Sequence, residues 1–123
     1  MAEKLCALKK RGRMGREFSL LGQQSIESTS TITVNLSESI ESYEYLIFSF
    51  YPYDGDKIST TSPTSPILIF TKKDYFKQNQ LTGYFTYGSP QNSATSILTY
   101  VSNNSLTVKN STATARILYV YGL

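Results

Sequence analysis

The sequence predicts an all-β protein: an antiparallel β-sandwich or jelly-roll-like domain of about eight strands, preceded by a short basic N-terminal arm. Serine and threonine make up about a quarter of the 123 residues, and ten tyrosines and six phenylalanines accompany them. Threonine and the aromatic residues favour strands because their side chains pack well on a pleated, half-buried surface. Short alternating runs also recur with turn residues between them, a spacing typical of a sandwich.

The first half of the chain carries the clearest alternation of apolar and polar residues. Phe18–Leu21 is predicted as a first short strand, and Thr29–Leu36 places its apolar residues on one face. Ser37–Ser42 then supplies capping and turn residues. In Tyr43–Tyr51, the strongest strand, both faces are apolar, which indicates a central strand or one that lies against a second subunit.

The second half continues with strands separated by polar or proline-containing segments. We expect outward contacts from the loops Pro52–Lys57, Ser59–Ser65 and Ser89–Ser93, because proline is excluded from the inside of a sheet. Asn103–Asn104 has the length of a tight hairpin turn. The predicted elements are the strand Ile67–Phe70, a polar or helical turn at Lys72–Lys77, and the strands Leu81–Tyr87, Ala94–Val101, Leu106–Val108 and Ala115–Tyr121.

Charge divides the chain into an arm, residues 1–16, and a β domain, residues 17–123. The arm contains six of the twelve basic residues and one acid, so it carries +5, whereas the rest of the chain carries −2. We consider three roles for such an arm: docking to a protein surface, a solvated tail, and binding of nucleic acid. Docking is favoured, since charge and the apolar residues Leu5, Leu8 and Met14 would fix the arm on an acidic protein surface. Nucleic acid is disfavoured, because the arm has no aromatic residues that would stack on bases. The predicted docking residues are Lys4, Leu5, Leu8, Lys9, Lys10, Arg11, Arg13 and Arg16.

The residue inventory argues against an enzyme and predicts no cofactor and no bound metal. There is no histidine, and Cys6 is the single cysteine, so the commonest catalytic bases and an intrachain disulfide are both excluded. Glu38, Glu41 and Glu44 are spaced three apart, but solvated turn carboxylates explain them better than a catalytic pair. Asp54 and its neighbours are read as a turn rather than a calcium loop. No segment reaches the length of a membrane span or resembles a secretory signal.

Several tyrosines border predicted turns and are candidates for contacts with a ligand. Tyrosine offers a large contact area at low entropic cost, and its ring can stack on a sugar. Most tyrosines of the chain are nevertheless expected to fill sheet faces. The best surface candidates are Tyr51, Tyr53, Tyr84 and Tyr87.

Three segments resemble small virion accessory proteins of tailed phages and prophages of Gram-positive hosts. The basic start Lys4–Lys10 (KLCALKK) resembles the opening of those proteins. Ile32–Ile40 followed by Tyr43–Leu46 resembles their first core strands, and Ala115–Leu123 resembles their terminal strand, which ends in Tyr-Gly and an aliphatic residue. One departure is Arg11–Arg16, where a glycine-rich stretch is replaced by a more basic one, which favours an ordered docking arm.

The resemblance implies a head-fibre, capsid-decoration or tail-fibre protein that is located in the virion after assembly in the bacterial cytoplasm. The arm would attach to a phage capsid or tail protein, and the β domain would project outward as a homotrimer. The apolar outer positions of two strands independently indicate an oligomer interface. The alternative function is a carbohydrate- or cell-wall-binding module that contacts a host-surface glycan through exposed tyrosines. The predicted interface residues are Tyr45, Ile47, Ile117, Tyr119 and Tyr121.

Overall fold

A computed structural model describes residues 18–54, 57–58, 67–87, 92–112 and 116–123, with the side chains of 52–54, 57–58 and 87 left out. The predicted arm, residues 1–16, lies outside the described residues. So does the predicted loop Ser59–Ser65. The predicted loops Pro52–Lys57 and Ser89–Ser93 are described in part, and the prediction is wrong for the described residues. Residues 52–54, 57, 92 and 93 lie in strands, because antiparallel pairing continues through them.

Nine strands, one α-helix and one short 3₁₀ helix form within the described ranges. Eight of the strands are four to eleven residues long, and the ninth, β4, has only two residues and extends a hairpin from β3. The 3₁₀ helix Ile40–Ser42 precedes β3, and the α-helix α1, Lys73–Gln78, connects β5 to β6. The strands are β1 Ser19–Ile26, β2 Ile32–Asn35, β3 Tyr45–Asp54, β4 Lys57–Ile58, β5 Ile67–Lys72, β6 Leu81–Tyr87, β7 Asn92–Ser102, β8 Ser105–Asn110 and β9 Arg116–Gly122.

The strands form two antiparallel sheets that enclose one core. In the first sheet the order is β1-β9-β3, and β3 pairs on its other side with β5 and, at its end, with β4. In the second sheet the order is β2-β8-β7-β6. The chain crosses between the sheets from β1 to β2 and through α1 from β5 to β6, so the edges of one sheet lie above the edges of the other.

The core lies between the inward faces of the two sheets. Alternate residues of β3, starting at Leu46, point inward because successive side chains of a strand leave on opposite faces. The phenylalanine rings interlock across the core: Phe48 lies 5.1 Å from Phe76 of α1, and Phe50 lies 5.3 Å from Phe85 in an edge-to-face arrangement. The hydrophobic residues without accessible surface are Ile26, Leu46, Phe48, Phe50, Leu98, Val108, Leu118 and Val120.

Two local contacts lie at the end of the sandwich that contains the C-terminal residues. The hydroxyl of Ser39 accepts a hydrogen bond from the amide of Glu41 and caps the 3₁₀ helix. The ring of Tyr43 lies directly over Gly122, where a Cβ atom would come within 2.5 Å of the ring. Glycine is therefore required at position 122, because any side chain would displace Tyr43.

The fold class predicted from the sequence is confirmed. The strand predicted at Leu81–Tyr87 matches β6, and the turn Asn103–Asn104 connects β7 to β8 as a two-residue hairpin. The polar segment Lys72–Lys77 contains α1. The first strand is longer than predicted: β1 continues to Ile26, because its polar glutamines pair with β9 after a bulge between Leu20 and Gly22.

Candidate functional site

The outer face of the first sheet brings together aromatic and aliphatic side chains from four strands. Across β1, β9, β3 and β5, one row consists of Leu20, Tyr121, Ile47 and Phe70. The next row has Tyr119, Ser49 and Leu68 after the edge residue Gln23, and a third has Tyr51 beside Ile117. Lys72, at the end of β5, is the one charged residue among the described strand positions of this face.

We call this surface the aromatic face. Its outermost residues are well exposed, with Phe18 at 62%, Leu68 at 66% and Phe70 at 55%. Ile47 and Ile117, near its middle, are already covered by their neighbours within the chain. The aromatic face consists of Phe18, Leu20, Tyr45, Ile47, Tyr51, Leu68, Phe70, Ile117, Tyr119 and Tyr121.

The rings of the aromatic face contact one another. Tyr119 lies 6.0 Å from Tyr51 in an edge-to-face arrangement and 6.4 Å from Tyr121, which it stacks upon. Phe18 is 6.4 Å from Tyr121, and Tyr45 is 5.2 Å from Phe70. Burial raises the pKa of the Tyr121 phenol above its usual value, and the neighbouring phenols of Tyr51 and Tyr119 raise it further. Such pairs fix the rings in place and give the face a defined shape.

The outer face of the second sheet has the opposite chemistry. Thr33, Thr107 and Thr99 stand in one row across β2, β8 and β7. Tyr84 stands beside Thr95 and is 73% exposed. We call this surface the threonine face; it consists of Thr33, Thr82, Tyr84, Thr86, Thr95, Ile97, Thr99, Thr107 and Lys109.

No family model, curated protein or solved structure matches the chain. Within the described ranges, no helix is long and apolar enough to cross a membrane. In the same part of the chain, no three His, Cys, Asp or Glu residues lie close enough together to hold a metal ion.

The spaced glutamates of the sequence lie at the surface and engage nearby side chains. Glu38 accepts a hydrogen bond from the Tyr43 hydroxyl at 2.8 Å. Glu41 forms ion pairs with Lys77 and, at 3.6 Å, with Lys73. Of the predicted turn at Asp54, residues 55 and 56 lie outside the described residues. These contacts give Glu38 and Glu41 structural roles at the end of the sandwich where α1 lies.

The structure brings all five predicted interface residues onto the aromatic face. Tyr51, predicted as a ligand contact, lies on that same face beside Tyr119 rather than at a separate site. Tyr84 lies on the threonine face, on the other side of the molecule. The side chains of Tyr53 and Tyr87, also predicted as ligand contacts, are outside the described residues.

The sequence reasoning missed the most exposed residues of the aromatic face. Phe70 and Leu68 belong to β5, which was predicted as a strand but given no face, since every position of Ile67–Phe70 is apolar. Phe18 and Leu20 lie at the start of β1. The apolar run of β5 could have indicated this surface, because a strand that is apolar on both sides requires packing partners on both faces of the sheet.

The contribution of Tyr43 and Tyr121 to stability is expected to be full below about pH 10 and to be lost above it. Burial raises the pKa of the Tyr43 phenol, and the Glu38 carboxylate raises it further against an opposing hydrogen bond from Ser19. The pKa of Tyr121 is raised as well. The unfolded chain therefore loses these protons first as the pH rises, so stability is full below the unfolded-state pKa and is lost as pH rises through the folded-state values.

Urea unfolding midpoints at about pH 8 and about pH 10.5, on either side of the tyrosine range, check this expectation. The double variant Tyr43→Phe/Tyr121→Phe removes both phenols and should lose less stability between the two pH values than the natural chain. Equal losses in the two proteins would assign the alkaline effect to other groups.

Proposed function

We propose that this chain is a non-enzymatic structural protein of a bacteriophage virion, of the head-fibre, capsid-decoration or tail-fibre type. In this proposal the β-sandwich associates with copies of itself, as a homotrimer, through the aromatic face. The arm, residues 1–16, attaches the trimer to a capsid or tail protein, and the β domains project outward. The protein would be assembled in the bacterial cytoplasm and carried in the virion.

The contrast between the two outer faces is the observation that carries the assembly part of the proposal. A sheet face that meets water is normally polar, as the threonine face is. Taking about 200 Å² for a fully exposed aromatic or leucine side chain, the five most exposed residues of the aromatic face present roughly 500 Å² of apolar surface. A standard interface buries about 800 Å² on each partner, so the face supplies most of one apolar interface.

The chemistry of the aromatic face favours binding to a second copy of the chain over binding to a charged partner. Lys72 is the one charge among its described strand positions, so electrostatic attraction to a differently charged surface would be weak. The tyrosine hydroxyls at its centre can pair with one another across a symmetry axis, because each can both donate and accept a hydrogen bond. The phage part of the proposal rests on the sequence resemblance of the arm and of the first and last strands.

The mass of the full-length protein in solution tests the assembly. We expect light scattering to give three times the chain mass of 13.8 kDa and to hold that value on dilution. A mass of one chain at all concentrations would contradict the proposed assembly. For the virion role, purified phage particles should retain the full chain but lose a chain that lacks residues 2–16. Equal retention of both would exclude the arm as the attachment segment.

A carbohydrate-binding role is the second candidate, and the exposure of Tyr84 favours it. A ring that is 73% exposed among threonine hydroxyls offers a flat surface on which a sugar could stack. Glycan-array binding that is lost in Tyr84→Ala but kept in Thr82→Ala would support this role. The two roles are compatible, since a projecting fibre also meets the host surface.

A further inference from the structure

A small cavity lies where the end of α1 and the two residues that follow it, Asn79 and Gln80, meet the strand β7. Its volume is about 150 Å³, below the roughly 300–1,000 Å³ of pockets for drug-sized ligands. An enclosed cavity of about 150 Å³ in another protein holds one benzene ring. The present cavity is partly open to solvent, so it can receive one face of a six-membered ring whose substituents extend outward. The residues that line it include Phe76, Lys77, Asn79, Gln80, Thr99 and Tyr100.

The inner side of the cavity is aromatic and held in a fixed shape. Phe76 is buried, and its ring meets that of Tyr100 edge to face at 6.1 Å. The hydroxyl of Tyr100 donates a hydrogen bond to Oδ1 of Asn103 at 2.7 Å, which fixes the far end of the ring. The wall is therefore formed before any ligand arrives, which reduces the entropic cost of binding.

The rim of the cavity carries neutral hydrogen-bonding groups. The side-chain amide of Gln80 donates to the Thr99 hydroxyl at 3.2 Å, and that of Asn79 donates to the carbonyl of Tyr75 at 3.0 Å. Amides and hydroxyls both donate and accept hydrogen bonds, unlike ammonium or carboxylate groups. They therefore suit a ligand whose polar groups also do both.

The charge at the cavity is balanced. The ammonium group of Lys77 lies 6.0 Å from the centre of the Tyr100 ring, but it is ion-paired with Glu41. An anionic ligand would have to compete with that carboxylate for the ammonium group. A neutral ligand leaves the ion pair intact and can use the ring and the amides.

From these features we propose that the cavity binds one neutral sugar ring. A pyranose has an apolar C–H face that fits against the Tyr100 ring and hydroxyl groups that both donate and accept hydrogen bonds to the rim. The ring belongs either to a free monosaccharide or to the terminal unit of a glycan. The site is separate from the aromatic face and from Tyr84, and it does not depend on the assembly proposed above.

Titration of the isotope-labelled full-length protein with the methyl glycosides of glucose, galactose and N-acetylglucosamine, followed by amide NMR, tests the proposal. At least one of the three is expected to shift residues 76–80, 99 and 100 in a saturable manner. Thr99→Val and Gln80→Ala should each weaken that binding by about 3- to 10-fold, since each removes one neutral hydrogen-bonding group. Thr107→Val, which alters the neighbour of Thr99 across the strand pair, is the matched control and should leave it unchanged.

Three results would overturn the proposal: no shifts with any of the three glycosides up to their solubility, shifts centred on Tyr84 or the aromatic face, or tighter binding of glucuronic acid than of neutral sugars. A glycan array then distinguishes the sources of the ring. Recognition of glycans that end in the sugar found by NMR assigns a terminal unit, and binding of the methyl glycoside alone assigns a free sugar. The solution mass is measured separately, so failure of the sugar site and failure of the assembly remain distinguishable.

Discussion

Exchange of Phe70 for glutamate is expected to turn the proposed oligomer into a monomer. Phe70 is 55% exposed on β5, beside Ile47 and 5.2 Å from the ring of Tyr45. A carboxylate at this position would be buried in an apolar interface, which costs several kcal/mol even with Lys72 on the same face, because both charges would have to lose their water. Each protomer of a symmetric assembly carries the change, so we expect the dissociation constant to rise by at least about 10³-fold.

Light scattering over a dilution series measures this effect, and Thr82→Glu is the matched control. Thr82 is exposed on β6, an edge strand of the second sheet, and the exchange introduces the same charge on the threonine face. We expect Thr82→Glu to keep the natural mass and to unfold within about 1 kcal/mol of the natural chain at the same protomer concentration. Phe70→Glu is expected to remain folded as a monomer. Retention of the natural mass by Phe70→Glu, or dissociation by Thr82→Glu, would place the interface elsewhere.

The strands could be predicted from the sequence because alternation is a local property. In residues 81–86 alternate residues face the core, and the period of two predicts that Phe85 and Tyr84 lie on opposite faces of the sheet. The pairing order could not be predicted, because it depends on which distant strands share hydrogen bonds. The pairing of β7 with β8 is the exception. The two-residue turn Asn103–Asn104 joins them, and so short a turn requires the strands on either side to pair with each other.

The aromatic face was predicted only in part, because local alternation assigns residues to a face but does not give their exposure. Tyr119 and Tyr121 alternate with core residues in β9, so the sequence could place them together on the outside. How far each residue is exposed depends on its cross-strand neighbours, and Ile47 and Ile117 are covered by theirs. The small cavity could not be predicted either, because α1 and β7 meet there only in the folded chain.

The burial of Arg116 in the core is another feature that could not be predicted from the sequence. Its side chain has no accessible surface, and its guanidinium carbon lies 3.8 Å from the centre of the Phe85 ring. Arginine is almost never fully buried without such interactions, so composition and alternation gave no reason to place it inward. The aromatic ring that lies against it belongs to the other sheet.

Exchange of Phe85 for alanine is expected to have the largest effect on the stability of the fold. The ring packs against Phe50 and covers the guanidinium group of Arg116. Loss of a buried phenylalanine ring costs about 3–5 kcal/mol, and a desolvated cation–π contact contributes about 2 kcal/mol more. Domains of this size are stable by about 5–15 kcal/mol in total, so the variant should be close to unfolding at room temperature.

Urea unfolding at one fixed protomer concentration measures this loss, because the stability of an oligomer depends on concentration. Phe85→Leu is the control: it keeps most of the apolar volume, so it should lose about half as much as Phe85→Ala. A double-mutant cycle with Arg116→Met then isolates the pair, since any other interaction of Arg116 cancels in the cycle. We expect a coupling of about 1–2 kcal/mol between the ring and the guanidinium group. A coupling near zero would mean that Phe85 stabilises the core by its volume alone, and that the burial of Arg116 depends on other contacts.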